Sequence, residues 1–584
     1  MGVCSVGCLD NEDLNELTPY TPLKTDSTAV GTIPPRKRYR SVLGASIPFV
    51  QDTSSHSIAK MIILHEYPLN IVEHQGFLDF VRFLHPKVHT DVKSVQEECV
   101  NIYVREKQDL INKLGEILGH VNLTLDLWES DQGLCYLILT GYFVDNAWKL
   151  QKRILNVVML PFPDTEVTFS HTVDDCLANW GLEQKIFTLT LDQSFANEAA
   201  RKNLRGLLSV MNPHVLNGQL VLGGCYTRVL RCLVKDVLVS TGDIIKKVRD
   251  SVKYVKAYRG NEDYFNELRQ KLQNPSTKSL TIDDQTKWDT TYHMLVAASE
   301  LKEVFSCLNA SDPNYNGMLT IDEWRKVDIL SIYLKLFFDA ASILLAPTHQ
   351  TTNLFYHEVS NIQLELAHAA ISEDTFTRSL TKPLQEKFNK YWNSCSLILA
   401  VSVIMDPRFK MKLVEFSFSK IYGEDAETWI KVVDEGVHEL FVEYIVLSLP
   451  PPTFVVEDTE GVKKEMSPED ENSGSDDFLD FDVYISEIAG SQHMKSELDQ
   501  YLEEPLLPRT QKFDVLSWWK LEAQKYPTLS RMACDILCIP VSAVAPESVF
   551  DTVTKKMDSY RCSLKPFTVE ALICAKDWLQ CGSS

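Results

Sequence analysis

The sequence has no apolar run long enough to cross a bilayer. Its richest stretch, "ILSIYLKLFFDAASILLAP", is interrupted by Lys335 and Asp339, whereas a spanning helix needs about 20 predominantly apolar residues. No membrane partner is expected. Nor is a secretory signal, because "MGVCSVGCLDNEDLNEL" has neither a basic start nor a long apolar core. Met-Gly opens the chain as in a myristoylation signal, but Val6 stands where Ser or Thr is required. Zinc-finger spacing is missing as well: Cys4 and Cys8 have no histidine partners at finger distance. The 14 cysteines are scattered over 584 residues, which fits the reduced thiols of an intracellular protein and not a disulfide framework. Positive charge is in deficit, with 58 Lys and Arg against 80 Asp and Glu, a net charge of −22. That argues against nucleic-acid affinity over the whole surface but not against a local basic groove.

What is present divides the chain into segments. Hydrophobic residues make up 45%, enough for a sizeable core, and the length allows about three to five domains. Residues 1–57 are rich in Thr, Ser and Pro and are expected to be disordered. Within them Arg36, Lys37, Arg38 and Arg40 form a basic cluster, read either as a nuclear import signal or as a solvated patch. Helical periodicity runs over 58–115. From 116 to 227 the pattern changes: "VNLTLDLWES", two further β-rich runs around the turn "VDNAW", the helical "SHTVDDCLANWGLE", the strand "IFTLTLDQSFAN" and the helical "EAARKNLRGLLSVMN". A long helical region occupies 228–455. An acidic linker, 456–493, is expected to be disordered, and a mostly helical segment closes the chain over 494–582.

Two carboxylates hold special places in the β-rich block. Asp126 lies inside its first strand and Asp192 at the end of its fourth. In a ribonuclease-H-like sheet those strands are neighbours, so the two side chains converge; a divalent cation, Mg or Mn, relieves their repulsion and, with a third carboxylate, supports phosphoryl transfer. Each Asp taken alone reads equally as a cap or a solvated side chain. A second candidate is "DPNYNGMLTIDE", residues 312–323, which fits the calcium-loop pattern with Asp312, Asn314, Asn316 and Glu323 as ligands and Gly317 at the turn. No second loop exists, two ligand positions are uncharged, and Pro313 is out of place. Calcium is not expected there.

"MIILHEYPLNIVEHQGFLDFVRFLHP", "LTLDLWES", "TKWDTTYHML" and "YPTLSRMACDILCIPVSAVAPESVFDTVTKKMDSYRCSLKP…EALICAKDWL" together resemble the hAT transposase superfamily, and in detail its plant domesticated branch, the Daysleeper and Ricesleeper type. The resemblance covers about 58–580. It implies an α+β fold: a ribonuclease-H-like mixed sheet interrupted by a large all-helical insertion, with a helical C-terminal dimerisation region. It also implies a catalytic and metal-binding triad of Asp126, Asp192 and Glu547, the last on a C-terminal helix. Trp288 matches the residue that stacks on DNA bases; alternatively it packs against Tyr292 one helical turn on. Lys287, Arg228 and Arg231 are expected phosphate contacts, as are Arg201, Lys202, Arg205, Lys235, Lys246, Lys247 and Arg249. Trp518, Trp519, Leu529, Ile536, Phe550 and Trp578 are the expected dimer contacts.

The sequence departs from the family pattern in three places. A family C-x2-H motif becomes Cys225-x2-Arg228, and an arginine has no acceptor nitrogen. Pro546 precedes Glu547, and Asp551 adds a negative charge one turn beyond it. The N-terminal BED zinc finger of the branch is not found. The resulting expectation is a dimerising nuclear protein that binds DNA or chromatin and regulates gene expression without transposition. An active metal-dependent transposase and an interaction protein without DNA contact are the alternatives.

Overall fold

The computed structural model describes residues 51–84, 90–160, 166–191, 198–211, 222–317, 319–346, 350–448, 495–510, 513–553 and 555–581. Residues 51–584 form one compact unit. The chain opens with α1 (Gln51–His65), α2 (Gln75–Leu84) and α3 (Val92–Glu116), then enters the sheet with β1 (Val121–Ser130), β2 (Cys135–Val144) and β3 (Leu150–Leu160). After α4 (Glu166–Trp180) come β4 (Ile186–Leu191), α5 (Glu198–Met211) and β5 (Leu222–Gly224). The helical insertion follows: α6 (Tyr226–Ser240), α7 (Gly242–Ala257), α8 (Arg259–Lys271), α9 (Trp288–Glu300), α10 (Lys302–Ser311), α11 (Ile321–Ser342), α12 (Tyr356–Ala370), α13 (Thr375–Ile404), α14 (Lys410–Tyr422) and α15 (Ala426–Ser448). The C-terminal region holds α16 (Glu497–Glu503), α17 (Val515–Glu522), α18 (Pro527–Leu537), β6 (Lys556–Met557), α19 (Ser559–Ser563) and α20 (Pro566–Cys581).

The sheet runs β3-β2-β1-β4-β5. β1 is antiparallel to β2 and parallel to β4, with Leu125 opposite Leu191. β2 and β4 are buried along nearly their whole length, as strands covered on both faces must be, and this explains their continuous apolar sequence. The β2–β3 turn is closed by Asp145, whose Oδ1 accepts from the backbone of Ala147 and Lys149 at 2.9 Å. β4 accompanies β1 only as far as Leu125; beyond it, β6 pairs with Glu129 and Ser130. The two strands that sequence periodicity does not reveal, β5 and β6, have three and two residues, too few to show alternation.

Two apolar cores result, and the C-terminal region contributes to both. One gathers the insertion helices with residues from Leu498 to Val549. The other gathers the sheet and α1–α4 with residues from Met557 to Trp578. This placement corrects the expected dimer contacts. Trp519, Leu529 and Ile536 are fully buried inside the protomer and Trp578 nearly so; Trp518 and Phe550 pack against the same core. Trp519 donates its indole N–H to Met405 O at 2.8 Å, and Trp578 donates to Ile154 O at 2.8 Å while stacking on Tyr103. These aromatics are large because they fill the space between segments distant in sequence.

A buried polar knot fixes the C-terminal region to the sheet. The Asp535 carboxylate accepts from the His120 backbone at 2.8 Å and from the Tyr444 hydroxyl at 2.6 Å, and its other contact is His120 Nδ1 at 2.7 Å. Burial and this carboxylate push the Tyr444 hydroxyl well above its ordinary range. The approach is so close that a Cβ on Gly119 would lie 2.4 Å from Asp535 Oδ1, so only glycine fits there. Asn122 extends the knot, donating to Asp535 O and accepting from Thr188.

Because Trp519 is a core residue, Trp519→Ala is expected to lower stability by about 3–5 kcal/mol. It should leave the association state of the folded fraction unchanged. Urea denaturation with light scattering on the same samples checks both; a change of association at unaltered stability would return Trp519 to an interface.

Candidate functional site

β1 and α6 bring together Asp126, a residue of the expected triad, and Arg228, the departure from Cys-x2-His. Asp126 is 7% exposed on β1, at the position just past the last β1–β4 pair. α6 begins directly after β5, capped by Cys225, and its third residue is Arg228. The Arg228 guanidinium donates from Nη2 to Asp126 Oδ1 at 2.9 Å, with both side chains buried. The second carboxylate oxygen accepts from Trp128 Nε1 at 3.0 Å. Trp128 reaches it because residues two apart on a strand share a face. A buried carboxylate is costly unless charge-paired and hydrogen-bonded; here the protein's own cation and indole supply both.

The surroundings add more positive charge. Arg231, one helical turn beyond Arg228, is also buried and donates to Ser548 O at 3.0 Å. Burial, and then the neighbouring Arg228 charge, hold its guanidinium below its ordinary range, while Asp551 and Asp126 oppose that. Lys555 lies 4.3 Å from the centre of the Trp128 ring and 3.9 Å from Glu547. The C-terminal region is stitched alongside: Tyr226 N–H donates to Val541 O, Thr190 to Pro540 O, and Ala543 N–H to the Cys225 sulfur. Thr227 and Ser542 share a hydrogen bond of 2.7 Å.

The sequence matches four family descriptions: the ZBED1 RNase-like domain over residues 124–220, the ZBED1 RNase-like helical domain over 223–333, the hAT-like transposase RNase-H fold over 353–444, and the hAT family C-terminal dimerisation region over 497–579. Residues 353–444 are helical in this structure and belong to the insertion. Over 575 residues the chain is 50% identical to the zinc finger BED domain-containing protein DAYSLEEPER of Arabidopsis thaliana, spanning 98% of this chain and 79% of that protein. The chain belongs to the hAT transposase-derived family. It is also 44% identical over 594 residues to RICESLEEPER 2 of Oryza sativa subsp. japonica, covering 99% of this chain and 81% of the relative. With the putative AC transposase of Zea mays the identity is 32% over 525 residues, 89% of this chain and 64% of that protein.

The hAT triad can now be placed where the described residues allow. Asp192 follows Leu191 directly and lies outside the described residues. Glu547 is not on a C-terminal helix. It sits on a single 3-10 turn, Pro546–Ser548, with Pro546 at its first position, and its side chain is 69% exposed. Among the described residues there is no group of three His, Cys, Asp or Glu side chains suited to a metal ion. Each oxygen of the Asp126 carboxylate accepts one hydrogen bond, Oδ1 from Arg228 and Oδ2 from Trp128.

The expected DNA contacts of the hAT fold need similar correction. Trp288 is 1% exposed. Its ring meets Phe550 edge-on at 5.1 Å and its backbone N–H donates to Phe550 O. Phe550 stacks on Phe338, which stacks on Tyr292. Trp288 therefore joins the insertion to the C-terminal region and has no free face for a base; Tyr292 packs nearby but through Phe338. Arg228 and Arg231 are buried, so neither is a surface phosphate contact. Arg249 is committed to Asp283 by two bonds of 2.7 Å, and Lys247 pairs with Glu323. Lys287, Lys202, Arg205, Lys235 and Lys246 stay on the surface; the side chain of Arg201 lies outside the described set, as do Arg36, Lys37, Arg38 and Arg40.

The calcium-like loop has another use for its ligands. Asp312 accepts from the Tyr254 hydroxyl at 2.6 Å. Glu323 completes a capping box with Thr320 at the start of α11. Hydrogen bonds from Tyr254 and the Asn314 backbone hold the Asp312 carboxyl below its usual range, and the bond from Lys247 does the same for Glu323. Gly317 is required because a Cβ there would come within 2.7 Å of Ser251 Oγ and the Tyr315 ring. The same residue pattern serves a helix start and a packed turn.

The Arg228–Asp126 pair predicts a specific non-additivity. Arg228→Met leaves a buried charge unpaired and should cost about 3–5 kcal/mol, whereas Arg228→Met with Asp126→Leu should recover most of that loss. Unfolding curves of the two single variants and the double variant test this. Additive losses would show that the pair is not the dominant interaction of either side chain.

Proposed function

We propose that this chain is a domesticated hAT-transposase-derived nuclear protein that self-associates, engages DNA or chromatin, and does not cleave DNA. The observation that carries the reading is the buried Arg228 guanidinium on the Asp126 carboxylate. A divalent ion brought to that oxygen meets a fixed charge. Charges of +1 and +2 about 4 Å apart repel by on the order of 8 kcal/mol at an effective dielectric constant near 20.

Self-association is supported by the match of residues 497–579 to the family dimerisation region. Its contacts would be surface residues of that region, not the buried aromatics. DNA engagement is supported by relatives named for a BED zinc finger and by surface lysines such as Lys235, Lys246 and Lys287. Nuclear localisation rests on the basic cluster Arg36–Arg40. Development-linked regulation of gene expression is the role in which such a protein would act.

Purified full-length chain with Mn2+ and duplexes carrying transposon-type inverted ends is expected to give no nicks or strand transfer. Crosslinking of the tagged protein in nuclei should recover DNA. Nicking that is Mn2+-dependent and lost in Asp126→Asn would overturn the reading in favour of an active transposase. Recovery of no DNA would favour an interaction protein without DNA contact.

A further inference from the structure

A groove of about 720 Å3 lies between α12, α14 and the stretch that follows α16. Apolar side chains line much of it, among them Leu354, Leu364, Phe409, Leu413, Phe416 and Leu506. Its charged lining is of one sign, with Arg408, Lys412, Lys420 and Arg509 and no acidic side chain. In a chain of net charge −22 this is a local reversal. The cations are not equally engaged. Arg408 is bound to Asp406 through Nε and Nη2, and Lys412 to Glu415 on its own helix. Lys420 and Arg509 have aromatic faces as their contacts, Phe416 at 4.2 Å and Phe409 at 5.5 Å, and no carboxylate partner among the described residues. Phe416 is 58% exposed. The edge of the groove is held in place by Leu507 N–H donating to Pro407 O at 3.0 Å.

A ligand for such a surface alternates acidic and large apolar groups. Duplex DNA offers phosphates without apolar side groups and leaves the leucines and phenylalanines uncovered. The chain itself contains the complementary sequence. Between 465 and 487 there are nine Asp and Glu and no Lys or Arg, and "DDFLDFDVYI", residues 476–485, interleaves Asp480 and Asp482 with Phe478, Phe481, Val483 and Tyr484. This stretch lies outside the described residues. The described chain leaves off at Ser448, the end of α15, which packs on α14, and resumes at Lys495, just before α16 and the groove residues Leu506 and Arg509. Nine residues lie between Ile485 and Lys495, ten steps of chain and a reach of about 33 Å when extended.

We propose that the groove formed by α12, α14 and residues 506–509 binds the chain's own acidic-aromatic segment, residues 476–485. Lys420 and Arg509 receive Asp480 and Asp482, and Phe478 and Phe481 cover the apolar side chains. Tethering raises the effective concentration of the segment to the millimolar range, so a modest intrinsic affinity lets it compete with a free peptide for the groove.

The test uses a fluorescein-labelled peptide of residues 474–488 and fluorescence polarisation, with three full-length proteins: the intact chain, a segment variant (Phe478→Ala, Asp480→Asn, Phe481→Ala, Asp482→Asn), and that variant with Lys420→Glu and Arg509→Glu added. All substituted groove positions are exposed, and thermal unfolding confirms the fold of each. The segment variant is expected to bind the peptide, the intact chain to bind it at least about tenfold more weakly, and the groove substitutions to abolish binding. The intact chain should stay blocked at nanomolar concentration, where a second copy would dissociate. Failure of the segment variant to bind, equal binding by the intact chain, relief of the block on dilution, or indifference to Lys420→Glu and Arg509→Glu would each overturn the proposal.

Discussion

The ion pair between Arg228 and Asp126 constrains everything around it. A buried aspartate is costly unless it is charge-paired or well hydrogen-bonded, and Asp126 has both kinds of partner. The charged partner arrives from a neighbouring element. β5 extends the sheet beside β4, and α6 starts one residue later, so its first turn overhangs the end of β1. Trp128 then closes the carboxylate from the strand itself and carries Lys555 on its ring. The carboxylate that the hAT resemblance assigns to a metal site is paired here with the chain's own guanidinium.

The second constraint is the double role of the C-terminal region. Residues 498–550 complete the helical core and 557–578 complete the core on the sheet. Asp535 stands between them, with His120 at the entrance to β1 and Tyr444 on the last insertion helix as its partners. A region whose large side chains hold two cores together reads in sequence as a dense apolar patch, and density alone does not distinguish a core from an interface.

Much of the fold was legible because the physics was local. β1–β4 showed their alternation or continuous burial, the VDNAW turn had its Asp, and the order of strands and helices placed β1 beside β4. β5 and β6 escaped because strands of three and two residues have no period. The site was less legible. The substitution at Arg228 was visible as a departure from Cys-x2-His, but its partner was not, since pairing across 102 residues depends on how α6 sits over β1. For Trp288 the resemblance implied base stacking and the spacing to Tyr292 allowed packing; the residues that enclose it, Phe550 and through it Phe338, are far away in sequence. The 312–323 loop matched a calcium pattern letter by letter, yet Tyr254 and Lys247, from another helix, had already claimed its carboxylates.

The central claim is that Arg228 is the resident cation at the Asp126 carboxylate. Electron paramagnetic resonance of the full-length chain titrated with Mn2+ tests it most directly, because bound and free Mn2+ differ in signal. The account predicts no stoichiometric Mn2+ bound through Asp126, and therefore the same titration for the intact chain and for Asp126→Asn. A tight, one-to-one Mn2+ signal in the intact chain that disappears in Asp126→Asn would contradict it.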